Sequence, residues 1–102
     1  MKENQLKHIV FIQIIDNNET THQESIGALK SKLEKLPSFI NEIISLEVGR
    51  NISDRSNFDL SLTVVVKDVN DLNIYRNHSE HVKVLDFMKT LTLKTAVVDY
   101  IF

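Results

Sequence analysis

The sequence predicts an α+β fold in which four strands and two main helices follow the order β-α-β-β-α-β. Three observations support this prediction: two central segments alternate apolar and polar residues, two others repeat apolar residues every three or four positions, and the first and last segments are rich in β-branched residues. A central hairpin flanked by two helical connections is the ferredoxin-like arrangement, a four-stranded antiparallel sheet with both helices on one face.

The first predicted strand spans His8 to Ile15 and is apolar on both of its alternating faces. The residues of the two faces are Val10, Ile12 and Ile14, and Ile9, Phe11 and Ile15. A strand that is apolar on both faces must be covered on both, whereas two helices cover only one face of so short a chain. We therefore expect the sheet of an identical subunit to cover the other face, which makes the protein a homodimer.

A helix is predicted next, because Thr21 and Glu24 have the spacing of a capping box and Pro37 ends the periodic pattern after Leu36. Its core-facing stripe consists of Ile26, Leu29, Leu33 and Leu36. The central hairpin is predicted from a strand at Ile43 to Val48, a polar loop at Arg50 to Asn57 and a strand at Phe58 to Lys67.

The last third of the chain predicts two helices and a strand. Asp68 to Arg76 reads as a short helix opened by Asn70, with Leu72 and Tyr75 on one side. A longer helix follows, in which Asn77 is the predicted N-cap and Glu80 the N3 residue. It is predicted to end at Leu91 or Leu93, and Lys94 to Phe102 is the predicted final strand.

Length and charge restrict the function. A chain of 102 residues forms one domain, residues 1–102. Its 12 Lys and Arg and 14 Asp and Glu residues give a net charge of −2 without long blocks of either sign, which argues against nucleic-acid and membrane partners. The absence of Cys and the polar start Met1 to Lys7, unlike an export signal, predict a cytoplasmic protein.

The candidate chemistry is concentrated in one stretch, Tyr75-Arg76-Asn77-His78-Ser79-Glu80-His81. His81 lies one turn before Leu85 and two before Met88, on the inward stripe of its helix, which predicts an imidazole between helix and sheet. Partly desolvated there, it stays neutral near pH 7 and can remove a proton next to a carbonyl group. The alternative is a buried histidine satisfied by a backbone carbonyl or by Tyr75.

Three further side chains are candidate site residues together with His81. Tyr75 is either a hydrogen-bond donor to a substrate carbonyl or a packed aromatic whose hydroxyl reaches the surface. His8 alternates with Val10 and Ile12, so it faces the helices as a ligand-orienting residue. His78 has the spacing to share a metal with His81, but no third ligand is evident, so neither a metal nor another cofactor is predicted.

Four pieces of the chain resemble the stress-responsive A/B barrel (Dabb) family of dimeric α+β barrels. They are Lys7-His8-Ile9-Val10, then Val48-Gly49-Arg50-Asn51 with Arg55 and Phe58-Asp59, then Tyr75 to His81, and Val97-Val98-Asp99-Tyr100. The resemblance covers nearly the whole chain and implies a homodimer in which two four-stranded sheets pack into a barrel.

The resemblance also implies a chemistry. One plant member of the family is a polyketide cyclase in which a tyrosine and a histidine act, and the matching positions here are Tyr75 and His81. A pocket-lining histidine of its first strand matches His8. The usual His-Pro-x-His of the family reads His78-Ser79-Glu80-His81 in this chain.

Together these observations predict an internal, mainly apolar pocket for a small carbonyl-containing molecule. His81 would be the base and Tyr75 the hydrogen-bond donor of a cofactor-free cyclase-type or isomerase-type enzyme. The remaining predicted ligand contacts are His8, Val10, Ile12, Leu29 and His78. The alternatives are a non-catalytic structural or stress-associated homodimer, whose histidines are satisfied core groups, and a carrier of a hydrophobic ligand.

Overall fold

The computed structural model describes residues 4–102 of the chain, so the first three residues of the predicted polar start lie outside the described part. The strands are β1 (Leu6–Ile14), β2 (Ser45–Arg50), β3 (Leu60–Val66) and β4 (Leu93–Ile101). The helices are α1 (Glu19–Glu34), α2 (Val69–Asn77) and α3 (Ser79–Met88), with a 3-10 turn at Leu36–Ser38. None of the helices within residues 4–102 is both long enough and apolar enough to cross a bilayer.

The strands form one antiparallel sheet in the order β2-β3-β1-β4, and this confirms the predicted ferredoxin-like α+β fold. β1 is a central strand that pairs with β3 on one side and β4 on the other. In this register His8 lies opposite Val64 of β3 and Asp99 of β4. Because directly opposed residues project from the same face of a sheet, His8 and Asp99 are neighbours on one face.

One hydrophobic cluster joins the helices to that face. It contains Ile12 and Val64 of the central strands, Leu29 of α1, Tyr75 of α2 and Val84 of α3. Ile12, Leu29, Val64 and Tyr75 are at most 1% exposed, so the space between helices and sheet is well filled near the middle of the molecule. The predicted inward positions Leu72 and Tyr75 of the short helix are both buried.

The predicted starts of all three helices are wrong by one to three residues. The side chains that cap α1, α2 and α3 are Asn18, Asp68 and His78, not the predicted Thr21, Asn70 and Asn77. Each of these segments offers several residues that can cap a helix within a few positions, and local propensity alone does not choose among them. The Thr21 amide donates to the Asn18 side chain at 3.1 Å, so Thr21 lies inside the first turn.

Other boundaries also differ from the prediction. β1 begins at Leu6 rather than His8, because Leu6 pairs with both Val66 and Ile101. β2 begins at Ser45 rather than Ile43, β3 at Leu60 rather than Phe58, and β4 at Leu93 rather than Lys94. The first long helix ends at Glu34, before Leu36, and the last at Met88, before Leu91 and Leu93. Because apolar residues continue beyond these helix ends, the predicted helices were too long.

No helix within residues 4–102 covers the second face of the sheet. Phe11 of β1 and Val98 and Tyr100 of β4 project from it and are 43%, 59% and 42% exposed. Phe11 packs against Phe58, with ring centroids 5.7 Å apart, beside a shallow cavity of about 530 Å³ that Gly49 and Ser61 help to line. The sheet of one chain therefore leaves an apolar strip of surface uncovered.

Candidate functional site

The break between α2 and α3 brings Tyr75 and His81 together. α2 ends at Asn77 and α3 begins at Ser79, because His78 between them is extended, with φ −64° and ψ 138°. The His78 Nδ1 accepts a hydrogen bond from the Glu80 amide at 3.1 Å, which caps α3. After this turn the ring centroids of Tyr75 and His81 lie 4.5 Å apart.

A cavity of about 460 Å³ is lined by residues of these two helices and of the sheet. The predicted site residues that line it are His8, Val10, Ile12, Tyr75 and His81. Its other lining residues are Leu33, Leu62, Arg76, Asn77, Val84, Leu85, Met88, Thr95 and Val97. Most of these side chains are apolar and a few polar groups converge on the space, which is the usual composition of a small-molecule site.

Tyr75 contributes a buried donor to this cavity. Its side chain is fully buried, and its hydroxyl has no hydrogen-bond partner among residues 4–102. Burial raises the pKa of the Tyr75 phenol above its ordinary value, so the hydroxyl keeps its proton at any physiological pH. The alternative prediction of a hydroxyl at the surface is wrong, because α2 packs its buried side onto the sheet. The Tyr75 O–H is therefore a donor that no residue within 4–102 uses.

His81 contributes an imidazole ring whose protonation state follows from its contacts. Its Nδ1 lies 2.9 Å from the Arg76 carbonyl oxygen, and because a carbonyl only accepts, Nδ1 carries the proton and donates it. In the neutral ring the lone pair is then on Nε2. Burial lowers the pKa of His81, and the nearby charges of His8, Arg76 and His78 act in the same direction, against the opposing effect of the Arg76 carbonyl. His81 is consequently neutral at pH 7.

His8 is held by a residue that the sequence did not reveal. Its Nδ1 donates to the Asp99 Oδ1 at 2.5 Å, which assigns the lone pair of the neutral ring to Nε2. The other Asp99 oxygen accepts from the Arg76 guanidinium at 3.1 Å. The imidazole of His8 is 7% exposed and meets Tyr75 edge-on, with ring centroids 6.1 Å apart. Asp99 thus fixes the orientation of His8 beside Tyr75.

Asp99 and Arg76 belong to the segments that resemble the family, but the sequence did not predict them as site residues. Asp99 is an acidic residue in the otherwise apolar segment Val97 to Ile101, and this contrast was the one sign in the sequence that it has a specific partner. Its partner could be named only once the register of β1 against β4 placed it opposite His8.

Two predicted contacts lie outside the cavity. Leu29 is fully buried in the core and does not line the cavity, because its face of α1 packs onto the centre of the sheet. His78 also lies outside the lining, because its ring is directed back to cap α3. Within residues 4–102, no cluster of three or more His, Cys, Asp or Glu side chains has the arrangement of a metal site.

The fourth histidine belongs to another part of the molecule. The Nε2 of His22 on α1 lies 3.3 Å from the Asp59 carboxylate, which also accepts a hydrogen bond from the Ile14 amide at 2.7 Å. These contacts tie α1 to the ends of the central strands. The arrangement accounts for His22 and Asp59 as structural residues, distant in the fold from the cavity at His81.

A neutral imidazole beside a buried phenol is a pair of groups that enolisation of a carbonyl compound can use. A neutral imidazole with a free Nε2 removes a proton from the carbon next to the carbonyl. A buried O–H such as that of Tyr75 then stabilises the negative charge that develops on the carbonyl oxygen, and the apolar walls strengthen this interaction.

Residues 6–102 match the family described as Dabb, Stress responsive A/B Barrel Domain. The chain belongs to this family. No curated protein matches the sequence, so the remaining comparisons are structural. A dimeric protein of unknown function with a ferredoxin-like fold, from Bacteroides fragilis, gives a TM-score of 0.89 at 27% identity over 96% of each chain.

Two further structures show how the Dabb fold recurs at lower identity. A Dabb family protein with a ferredoxin-like fold from Mesorhizobium loti has a TM-score of 0.69 at 18% identity, and 96% of each chain is covered. Hydroxynitrile lyase from Passiflora edulis has a TM-score of 0.79 at 18% identity, covering 96% of this chain and 93% of the lyase. The Dabb fold of this chain is therefore shared with an enzyme and with proteins of unassigned function.

Proposed function

We propose that this Dabb protein binds a small carbonyl-containing molecule in the cavity between α2, α3 and the sheet and enolises it without a cofactor. The observation that carries the proposal is the convergence of a neutral His81 and the unpartnered Tyr75 hydroxyl on one apolar cavity. The overall reaction belongs to the cyclase, lyase or isomerase type, in those forms that begin by removing a proton from the carbon beside a carbonyl group.

The proposed first step conserves atoms and charge. The Nε2 of His81 takes a proton from the carbon next to the carbonyl, and the electrons of that C–H bond form the C=C bond of an enolate. The Tyr75 O–H donates a hydrogen bond to the enolate oxygen. The proton held by His81 then returns to another carbon or to a leaving group, which regenerates the neutral imidazole.

His8 and Asp99 complete the site as positioning residues. The Asp99 carboxylate holds the His8 ring through Nδ1, so that its Nε2 is free to accept a hydrogen bond from a ligand hydroxyl or from Tyr75. The hydroxynitrile lyase of the same fold is an enzyme, which is consistent with a catalytic use of this fold.

Exchange of α-hydrogen for deuterium in a neutral ketone tests the proposal without knowledge of the natural substrate. With phenylacetone in D₂O, followed by proton NMR, the wild-type protein should accelerate exchange, and His81→Ala and Tyr75→Phe should each slow it at least about tenfold. His22→Ala is the matched control, because His22 lies outside the cavity. Exchange that is equally fast in His81→Ala and wild type would reject His81 as the base.

We also propose that two copies pack through the uncovered sheet face as a homodimer. The exposed Phe11, Val98 and Tyr100 form an apolar strip there, and the Bacteroides fragilis protein of the same fold is dimeric. Covering this strip removes apolar surface from water, which is the main driving force of most protein association.

A further inference from the structure

The charges around the cavity favour an anionic ligand. Arg76 is the one permanently charged residue that lines it within residues 4–102, and no Asp or Glu is among the lining residues. Its other titratable groups are His8, His81 and Tyr75, of which the phenol is a donor and the histidines are neutral or positive. A negatively charged ligand therefore meets no lining carboxylate, and the N–H groups of Arg76 that Asp99 does not use can attract it, although Asp99 offsets part of the Arg76 charge.

Arg76 has unused donors for such a ligand. Its guanidinium carries five N–H donors in a planar fork, and its side-chain hydrogen bond in the described chain is to the Asp99 Oδ2 at 3.1 Å. The side chain is 45% exposed, so it lies where the cavity opens to solvent. The Asp99 oxygens are already engaged by His8 and Arg76, and Asp99 does not line the cavity.

The other polar side chains near this opening are uncharged. Asn77 and Thr95 line the cavity and are exposed, and both can donate hydrogen bonds to oxygen atoms. The polar groups therefore divide into an exposed donor set containing Arg76 and a buried set containing Tyr75 and His81. A ligand with a carboxylate at one end and a ketone a few bonds away matches this division.

We propose that Arg76 selects carboxylate-bearing carbonyl compounds, so that the substrate class of the cavity is a keto acid. This inference rests on the proposed function, because it assigns the inner end of the ligand to Tyr75 and His81. The carboxylate accepts charge-assisted hydrogen bonds from the free N–H groups of Arg76 at the opening. The apolar walls between the two ends hold the carbon skeleton.

The experiment compares two probes that differ in one charge, phenylpyruvate and its methyl ester. Their dissociation constants are measured by isothermal titration calorimetry with the full chain. Wild type should bind the acid about tenfold more tightly than the ester, and Arg76→Gln should bring the ratio close to one, mainly by weakening the acid. Arg55→Gln removes an equal charge from an exposed loop and should leave the ratio as in wild type.

A second variant tests the sign of the charge effect. Asp99→Asn removes the negative charge next to Arg76 and frees its guanidinium, so the preference for the acid should increase. Raising the NaCl concentration from about 50 to 500 mM should reduce the wild-type ratio, because screening weakens exposed charge pairs. An acid-to-ester ratio that Arg76→Gln leaves unchanged, or a preference for the ester in wild type, would overturn the inference.

Failure of this inference is distinguishable from failure of the proposed function. Binding of the two probes reports on Arg76 and needs no turnover, whereas deuterium exchange in phenylacetone needs His81 and has no carboxylate for Arg76. Equal binding of acid and ester with His81-dependent exchange rejects only the carboxylate preference. Acid-selective binding without His81-dependent exchange rejects only the enolising chemistry.

Discussion

The Tyr75 hydroxyl is an unusual group for a protein core. A buried donor without a partner costs roughly 1–3 kcal/mol of stability, and most buried polar groups avoid this by forming a hydrogen bond. Tyr75 is fully buried and its hydroxyl has no partner within residues 4–102. A ligand that accepts a hydrogen bond from this hydroxyl would remove the loss of stability, which gives a functional reason for the buried donor.

Tyr75→Phe should therefore stabilise the free protein while it slows catalysis. Removing the unpartnered hydroxyl and keeping the ring should raise the free energy of unfolding by about 1 kcal/mol, measured by urea denaturation at fixed protein concentration. Tyr75→Leu removes the same hydroxyl together with the ring contacts to His8 and His81, and should lower it by about 2 kcal/mol or more. Destabilisation by Tyr75→Phe would show that the hydroxyl is satisfied in solution.

His81 links stability to pH in a defined direction. Its pKa is lowered below the ordinary value of 6.5, mainly by burial, so the unfolded chain binds its proton at a higher pH than the folded chain does. Below pH 6.5 the unfolded state therefore holds more protons at this position than the folded state does. As the pH is lowered from 6.5, the free energy of unfolding falls until the pH is below the folded pKa. Above pH 6.5 both states are neutral at this position and the contribution is complete.

His81→Asn should remove this part of the pH dependence. The asparagine amide can still donate to the Arg76 carbonyl but does not titrate, so the difference between variant and wild type should change between pH 7.5 and pH 5 by up to about 1.4 kcal/mol per pH unit. Urea denaturation of both proteins at several pH values measures it. Parallel curves for the two proteins would contradict the shifted pKa of His81.

How much of the site the sequence predicted depended on how far apart its residues lie in the chain. Tyr75 and His81 are six residues apart on two consecutive helices, so the inward direction of each could be inferred from the periodicity of its own helix. Asp99 lies 91 residues from His8, and only the pairing of β1 with β4 makes them neighbours. Strand register is set by turns and packing across the whole chain, so this part of the site could not be predicted.

At the scale of elements, the break between α2 and α3 determines the geometry of the site. His78 ends α2 and caps α3, and the chain turns there without the Pro that is usual in the family. The sequence predicted Asn77 as the cap and Glu80 as N3, so it located the break only to within a residue. The cap that formed is the one that leaves Tyr75 and His81 on the same cavity.

His78→Ala should act on stability rather than on ligand binding. Loss of the hydrogen bond from the Glu80 amide to the His78 ring should cost about 1 kcal/mol in the free energy of unfolding, since cap substitutions by Ala typically cost about 0.5–2 kcal/mol. His78→Asp should recover most of that loss, because Asp is a good N-cap and adds a negative charge at the helix start. Urea denaturation measures both variants.

The binding readout separates this structural role from the earlier prediction that His78 contacts a ligand. The affinity for phenylpyruvate should be similar in His78→Asp and wild type under conditions where both are folded. If His78→Asp recovers stability but binds phenylpyruvate much more weakly than wild type, His78 contacts the ligand.

At the scale of the whole molecule, the two faces of the sheet differ in character. The face under the helices holds the cavity and its titratable groups, whereas the opposite face exposes Phe11, Val98 and Tyr100. The sequence indicated this division because β1 is apolar on both of its faces. It did not predict the size of the cavity, which depends on side-chain rotamers that sequence does not determine.

Val98→Glu should dissociate the proposed homodimer. Val98 is 59% exposed on the uncovered face of β4, and a carboxylate there would have to be buried without a partner in a sheet-to-sheet interface. Val69→Glu is a closely matched control, because Val69 is 57% exposed but lies at the start of α2 in the helix layer. Sedimentation velocity at micromolar concentration should show a dimer for wild type and Val69→Glu and a monomer for Val98→Glu. A wild-type monomer would refute the dimer, and a dimeric Val98→Glu would place the interface on another surface.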